Sequence, residues 1–466
     1  MDKPTAGTAG LTRRLMKLAV PIILQNLINS SLMLIDTFMV GTLGETELAA
    51  LTLANTWFFV ISLFIFGVQS GMTVLVGQYW GRGDRDAINR LLGIGFVLGG
   101  SFSFLICGVI ALFPLQTMSL TTSSPSIAAV AAEYAQIVAP SLVLNSFTMM
   151  ILGAQRAMEN PRMGMNVLVM SMSVSTILNY FLIFGIGPFP ELGVRGAALA
   201  TLLARILEIG VTFVFSARDT RFIMKPRLML RPGRVLWKDY LRICLPVIGN
   251  EALWGLGFSL FPIILAYMPS NASGVAAYAI ALNIERVAAA LYFGVGHAIA
   301  VVVCKELGSG RKEGMYAMGK ALLRRVLVAG SVAGGLLAVL TAFIIAPYMI
   351  PLFAESTETE QLARLMLLIS CIAAPARAVN FTIIVGILRG GGDTKAAMII
   401  DIISMYALAV PLAALAGLVF QWGALAVFCV MVFEEVWKFA VAWWRFKQKK
   451  WIRDVTRPAL EEGEDV

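Results

Sequence analysis

The stretch VPIILQNLINSSLMLIDTFMVG, residues 20–41, decides the fold class of this chain. The apolar segment around it begins near Leu18 and runs past Val40, and about 20 apolar residues suffice to cross a bilayer core. The segment is too long for the core of a signal peptide, and no small-residue cleavage site precedes the next apolar run. We therefore expect a retained transmembrane helix.

Polar residues interrupt this first segment at Gln25, Asn29 and Asp36. On a helix with 100° per residue these positions fall within about 40° of one another. A charge at the middle of a bilayer costs roughly 2.5–3.5 kcal/mol, so the stripe is expected to face a protein interior. The carboxylate of Asp36 can bind H⁺ or Na⁺ there, and the alternative is a structural hydrogen bond to a neighbouring helix.

The composition of the whole chain agrees with a membrane protein. Of its 466 residues 58% are hydrophobic and 14% are charged, whereas about 25% are charged in soluble proteins. This excludes a soluble enzyme, a disordered chain and a typical nucleic-acid binder. Runs of this length without period-2 alternation predict an all-α polytopic protein. Twelve spans are expected at 16–41, 49–79, 88–114, 127–155, 162–187, 193–217, 238–268, 274–304, 319–350, 361–388, 395–418 and 423–446.

The basic residues predict the orientation of these spans. With the N-terminus inside, 31 of the 37 Lys and Arg residues fall on the cytoplasmic side, including Arg389 and Lys395. Only Arg195 and Arg364 fall on the outer side, as the positive-inside rule requires. We expect both termini in the cytoplasm, and a location in the cytoplasmic (inner) membrane.

The chain also contains an internal repeat. AVP (19–21) matches CLP (244–246), the Ala-Pro…Asn pattern at Pro140 recurs at Pro375, and GAALA (196–200) matches GALA (423–426). The expected domains are an N-lobe (11–217), a basic cytoplasmic linker (218–237), a C-lobe (238–450) and a cytoplasmic tail (451–466). Two six-span copies with the same topology are related by a pseudo-two-fold axis along the membrane normal, as in transporters that work by alternating access.

Four strings resemble the MATE (multidrug and toxic compound extrusion) family. They are Pro21 with Asp36 fifteen residues later, QYWG (78–81), LGVRGAA (192–198) and GILRGGGDT (386–394). The resemblance extends from about 11 to 453. It implies export of organic cations or amphipathic compounds in exchange for H⁺ or Na⁺, with Asp36 as the residue that binds the coupling ion.

The fifth and seventh spans supply further candidates. Asn179 matches a position that is Asp in some family branches, and an amide can only form hydrogen bonds or offer a carbonyl oxygen to Na⁺; Ser175 lies one turn earlier. In the seventh span Asn250 and Glu251 follow Pro246, and the resemblance implies an acid in this region that faces a cavity. Pro21 and Pro246 are candidate kinks, since proline removes a helical hydrogen bond.

The tenth span departs from the best-known branch of the family. That branch has an acid just after Pro375, where this chain has Arg377, with Asn380 one turn later. We expect Arg377 to pair with Glu251 or Asp401, and the alternative is contact with an anionic cargo group. Asp401 occupies either an inner-interface or a cavity position.

Three other charged sets look self-paired and structural. They are Arg205 with Glu208, Glu434 with Lys438, and Glu285 with Arg286.

The sequence gives no reason to expect a catalyst or a cofactor. A single His and five scattered Cys residues do not form a metal site, and no nucleotide-binding motif is present. We expect a monomeric, non-enzymatic antiporter for small cationic or amphipathic molecules, with no nucleic-acid or nucleotide partner. The alternatives are a flippase for lipid-linked oligosaccharides or other lipids, in which Arg377 holds a phosphate, and a channel.

Overall fold

Long helices, joined by short turns, make up the computed structural model of this protein. It describes residues 8–122, 124–268, 272–354 and 356–457, and within these ranges it describes all side chains except those of 8, 9, 30–38, 45, 272 and 352. Twelve long helices lie in the described residues. They are α1 (Thr8–Gly41), α2 (Glu45–Arg82), α3 (Arg85–Leu112), α4 (Pro125–Ala157), α5 (Pro161–Phe184), α6 (Gly193–Arg218), α7 (Arg234–Ala266), α8 (Ala272–Gly308), α9 (Met315–Met349), α10 (Thr357–Arg389), α11 (Thr394–Val419) and α12 (Ala424–Lys447).

These helices confirm the predicted all-α membrane fold. Ten of them are long and apolar enough to cross a membrane by length and composition, when only the described residues are searched. The other two long helices are α1 and α12. Each helix matches one predicted span, and apart from α1, which begins eight residues before its predicted start, the bounds agree to within a few residues, because the apolar runs themselves fix where a helix can be buried in lipid.

Local sequence explains where the helices begin and end. Helix α2 ends at Gly83, whose φ of 86° is the left-handed conformation that glycine adopts without strain. The next residue, Asp84, caps α3 by accepting a hydrogen bond from the backbone N–H of Ala87 at 2.9 Å. At α10 the hydroxyl of Ser356 accepts from the N–H of Thr359 in the same way.

The chain folds into two compact units. Of the described residues, the C-terminal unit comprises those within 8–23 and 249–455, and the N-terminal unit those within 24–248 and 456–457. Both division points inside helices follow a proline by two residues, since Pro21 precedes Ile23 in α1 and Pro246 precedes Ile248 in α7. The kink positions expected from the sequence therefore coincide with the points where the chain passes from one unit to the other.

The internal repeat recurs in the packing of each unit. In the N-terminal unit α4 packs against α2, α3 and α6, and in the C-terminal unit α10 packs against α8, α9 and α12. The two central helices occupy the fourth position of their halves. Arg377 and Arg389 of α10 are buried in this packing, which is the arrangement that the cost of a charge in lipid demands.

Candidate functional site

A group of ten polar side chains lies inside the C-terminal unit, on helices α7, α8, α10, α11 and α12, and we call it the polar network. It contains five carboxylates, three cations and two amides. Its members are Asn250, Glu251, Glu285, Arg377, Asn380, Arg389, Asp401, Glu434, Glu435 and Lys438.

Arg389 connects two of the carboxylates. It is the last residue of α10, where the helix continues in π-helical turns, and its side chain is only about 5% exposed. Its Nη1 lies 2.5 Å from Oε1 of Glu251, and its Nη2 lies 3.9 Å from Oδ2 of Asp401. Buried ion pairs of this kind hold their members in fixed orientations, because an unpaired buried charge is costly.

Asp401 on α11 is contacted by three further groups. Its Oδ1 lies 3.5 Å from Nζ of Lys438, and its Oδ2 accepts a hydrogen bond from Nδ2 of Asn250 at 3.0 Å. Lys438 in turn lies 2.6 Å from Oε1 of Glu434, four residues earlier on α12. The expected Glu434–Lys438 pair is therefore confirmed, but it belongs to a larger assembly.

Arg377 forms the second centre of the network, on α10. It makes an ion pair with Glu285 of α8, and its Nε lies 3.9 Å from Oε1 of Glu435 on α12. Ser370 donates a hydrogen bond to Oε2 of Glu285 at 2.9 Å. Nδ2 of Asn380 donates to both Oε2 and the backbone oxygen of Glu435, at 2.7 Å in each case.

Arg377 forms an internal ion pair as expected, but two expectations about pairing partners and one about the position of Arg389 are wrong. Arg377 binds Glu285 and Glu435 rather than Glu251 or Asp401, and Glu285 is thereby taken from Arg286, its neighbour in sequence. Arg389, which the sequence places among the loop cations, is buried and holds Glu251. These partners lie on different helices, so helix packing decides them and sequence spacing does not.

Five members of the network were absent from the predicted site. Glu285, Glu434 and Lys438 were assigned to local pairs, Arg389 to a loop, and Glu435 was not singled out. One signal was available, since α12 carries two adjacent acids, Glu434 and Glu435, for the single nearby cation Lys438. A local pair therefore leaves one acid of this helix without a cation. All five candidates that the sequence did propose in this half, Asn250, Glu251, Arg377, Asn380 and Asp401, lie in the network.

The candidates of the N-terminal unit are more dispersed. Nε2 of Gln25 donates to the backbone oxygen of Pro161 at 3.3 Å, at the start of α5. Ser175 and Asn179 are buried one turn apart on the same helix, whereas Asn29 is exposed. The side chain of Asp36 lies outside the described residues, so its proposed role stays a prediction.

Among the described side chains of the N-terminal unit, Glu208 is a buried acid with a cation of its own. Oε2 of Glu208 lies 2.7 Å from Nη1 of Arg205, as expected, and accepts a hydrogen bond from Ser171 at 2.7 Å. Counted from the repeat match of Gly196 with Gly423, Glu208 corresponds to Glu435. The acid in this unit thus has its own cation, and it offers a natural comparison with Glu435.

In chemical terms the polar network can exchange a proton or reorganise its pairs. Its carboxylates lie within 4 Å of cations inside an apolar bundle, where charges interact more strongly than in water. Ionisable groups in such positions are typical of ion pathways and proton relays.

The MatE family model matches this chain twice, at residues 21–181 and 246–415. The two matches start 225 residues apart and together cover more than half of the chain. They fall on the two copies of the internal repeat, so each half carries the family pattern by itself.

Several proteins are similar to the chain over nearly its full length. The "Probable multidrug resistance protein NorM" of Thermotoga maritima is 26% identical over 97% of this chain and 96% of that protein. The "Multidrug resistance protein MdtK" of Pectobacterium atrosepticum is 25% identical over 86% of both.

Solved structures share the fold at lower identity. A MATE structure in complex with MaL6 has a TM-score of 0.82 at 18% identity, covering 94% of this chain and 96% of the other. The Vibrio cholerae MATE transporter VcmN in the bent form also has a TM-score of 0.82, at 20% identity, covering 95% of this chain and 97% of the other. With two six-helix repeats, a buried charged network and a family pattern in each half, this chain belongs to the MATE family of membrane transporters.

Proposed function

We propose that this protein exports organic cations or amphipathic drugs in exchange for H⁺ or Na⁺ by alternating access. The observation that carries the proposal is the match of the family pattern to both halves of the chain. It is supported by full-length relatives named multidrug resistance proteins. Binding of the coupling ion lowers the affinity for cargo by a coupling free energy, typically about 1–3 kcal/mol.

The proposal assigns Asp36 as the receptor of the coupling ion and the predicted lobes 11–217 and 238–450 as the moving parts. Gln25, Asn29, Ser175 and Asn179 surround cargo or ion in the N-lobe, and kinks at Pro21 and Pro246 accompany the movement. The protein works as a monomer in the cytoplasmic membrane with both termini inside, and it needs no cofactor besides the coupling ion.

The flippase alternative depends on an available cation for a lipid phosphate. Arg377, the residue that would supply it, is engaged by Glu285 and Glu435. An arginine neutralised by two carboxylates attracts an anion poorly, so the pairing favours drug export over phosphate binding.

Transport into inside-out vesicles tests the function directly. We expect uptake of ethidium or norfloxacin when either a pure pH gradient or a pure Na⁺ gradient is imposed, and the effective gradient identifies the ion. Asp36→Asn should abolish this gradient-driven uptake, because an amide takes up no proton near neutral pH. The exposed acid Asp86, in the first turn of α3, is changed to Asn as the control and should transport normally.

Two results would contradict the proposal. Drug uptake that follows its own concentration gradient with no coupling to either ion would indicate a channel. No drug uptake, together with transfer of a lipid-linked oligosaccharide across reconstituted vesicles, would indicate a flippase. Full activity of the Asp36→Asn variant would remove that residue from the mechanism and leave the export function intact.

A further inference from the structure

The polar network of the C-terminal unit contains more acids than cations. Contacts within 4 Å connect five carboxylates to three cations, Arg377, Arg389 and Lys438. If every group were ionised, these eight side chains would carry two net negative charges inside an apolar helix bundle. Two uncompensated charges in a largely buried group are unfavourable, which favours neutralisation of the excess.

The distances show which acids are left over. Arg389 is closest to Glu251, Lys438 is closest to Glu434 at 2.6 Å, and Arg377 pairs with Glu285. These three pairs use all three cations. The remaining acids have only longer contacts: Asp401 lies 3.5 Å from Lys438 and 3.9 Å from Arg389, and Glu435 lies 3.9 Å from Arg377.

Each leftover acid is held by a buried amide. Asn250, 1% exposed, donates through Nδ2 to Asp401, and Asn380, 2% exposed, donates through Nδ2 to Glu435. Among the described residues neither amide oxygen, Oδ1 of Asn250 or Oδ1 of Asn380, has a hydrogen-bond donor. A buried hydrogen-bond acceptor without a donor is costly. Exchanging the oxygen and nitrogen of the amide would not help, because the amide oxygen would then face an ionised carboxylate, which has no hydrogen to donate.

We propose that Asp401 and Glu435 each bind an exchangeable proton, so that this network is a two-proton site in the C-terminal unit. A proton on each acid cancels one of the two excess charges. The carboxylate becomes a carboxylic acid whose O–H can donate, and the neighbouring amide oxygen is the acceptor that has no donor. The charge count favours two protons, and the two amides point to Asp401 and Glu435 as the acids that carry them.

The surroundings of both acids favour a proton over a metal cation. Asp401 faces Asn250 of α7, Arg389 of α10, and Lys438 and Glu434 of α12. Two of these four groups are cations, which offer no oxygen ligand to Na⁺. A proton adds no ion that must fit between them, because it resides on the carboxylate itself.

Glu435 is surrounded in a comparable way. It faces Arg377 and Asn380 of α10 and interacts electrostatically with Tyr292 of α8 and with Glu434 and Lys438 of its own helix. Only one of its oxygens accepts the amide, and its nearest arginine is already paired with Glu285. The environment therefore accepts a neutral Glu435 without leaving a cation unpaired.

Infrared difference spectroscopy of the full-length protein in lipid nanodiscs, titrated with pH, tests the site. We expect a titrating carbonyl band of protonated carboxyl groups, reduced by Asp401→Asn and by Glu435→Gln and lost in the double variant. Glu208→Gln is the matched control and should leave the band unchanged, because Glu208 has a cation of its own in Arg205, 2.7 Å away. A band unaffected by both substitutions, or one abolished by NaCl at fixed pH, would overturn the proposal.

The melting temperature provides a second measurement, which does not depend on the infrared band. Glutamine has the shape of a protonated glutamate, so the Glu435→Gln variant should melt at the same temperature as the unchanged protein. The Glu208→Gln variant leaves Arg205 without its carboxylate partner and should melt at a lower temperature. Equal destabilisation by the two substitutions would mean that Glu435 is ionised and would refute the site.

The idea that this site supplies the coupling protons rests on the proposed function. Proton binding itself is measured by the infrared experiment, which involves no transport. Drug export without a protonated-carboxyl band defeats this inference alone. The band without gradient-driven export defeats the proposed function alone.

Discussion

Replacement of Arg389 by glutamine tests whether Glu251 is held as a buried carboxylate. The two side chains are about 5% and 13% exposed and lie 2.5 Å apart. Removing one partner of a buried pair costs about 3–5 kcal/mol, because the other charge stays buried without compensation. We therefore expect Arg389→Gln to lower the free energy of unfolding by about that amount, which changes the folded-to-unfolded ratio between roughly a hundredfold and a few thousandfold.

The assay is equilibrium unfolding of the purified protein in mixed micelles of rising denaturing detergent, followed by tryptophan fluorescence. Lys225→Gln is the control, since Lys225 and Asp86 form a contact of 2.6 Å on the surface, with about half of each side chain exposed. Such exposed pairs contribute about 0–1 kcal/mol. The double variant Glu251→Gln with Arg389→Gln should recover much of the loss, because no buried charge remains unpaired.

The reasoning fails if Arg389→Gln is no more destabilising than Lys225→Gln. That result would mean that Glu251 is neutral in the folded protein. The assignment of Arg389 to Glu251, and with it the identity of the two leftover acids, would then be wrong.

Three further predictions concern other parts of the chain. Trp451 is fully buried, so Trp451→Ala should cost about 3–5 kcal/mol in the same unfolding assay, and a loss under about 1 kcal/mol would contradict its place in the core. A methyl group at Gly164 would collide with the side-chain amide of Gln25. Because that amide is the flexible end of its side chain, it can move aside, and Gly164→Ala should change the melting temperature little. The displacement of Gln25 should nevertheless reduce drug export. Burial raises the pKa of Asp219, but hydrogen bonds and the charge of Arg221 outweigh this and leave the pKa below its usual value. Asp219 therefore stabilises the fold above the pKa that it has in the unfolded chain, and this contribution is lost as the pH falls through its lower pKa in the folded protein. The Asp219→Asn variant should thus melt at a lower temperature than the unchanged protein at neutral pH, and at the same temperature in acid. A difference in melting temperature that persists in acid would refute this.

The local chemistry of the chain was sufficient to predict the helices. Apolar runs of about 20 residues or more have only one way to satisfy their backbone in lipid, so the segment around 20–41 had to become helical whatever its neighbours were. The repeat was likewise readable, because the matches at Pro21 and Pro246 keep a constant spacing. Both prolines lie two residues before the points where the chain changes units.

The sequence also determined that polar residues within the spans, such as Glu251 and Arg377, need partners inside the protein, since lipid offers none. It could not determine which partners. Arg389 and Glu251 are 138 positions apart, and Arg377 and Glu285 lie on different helices. Only the packing of α7, α8, α10, α11 and α12 decided these pairs, because the contact of two side chains depends on how each helix is rotated and how deeply it is inserted against the others. The same packing placed an amide against each of Asp401 and Glu435 and left their cations at longer distances, and no spacing along the chain contains that information.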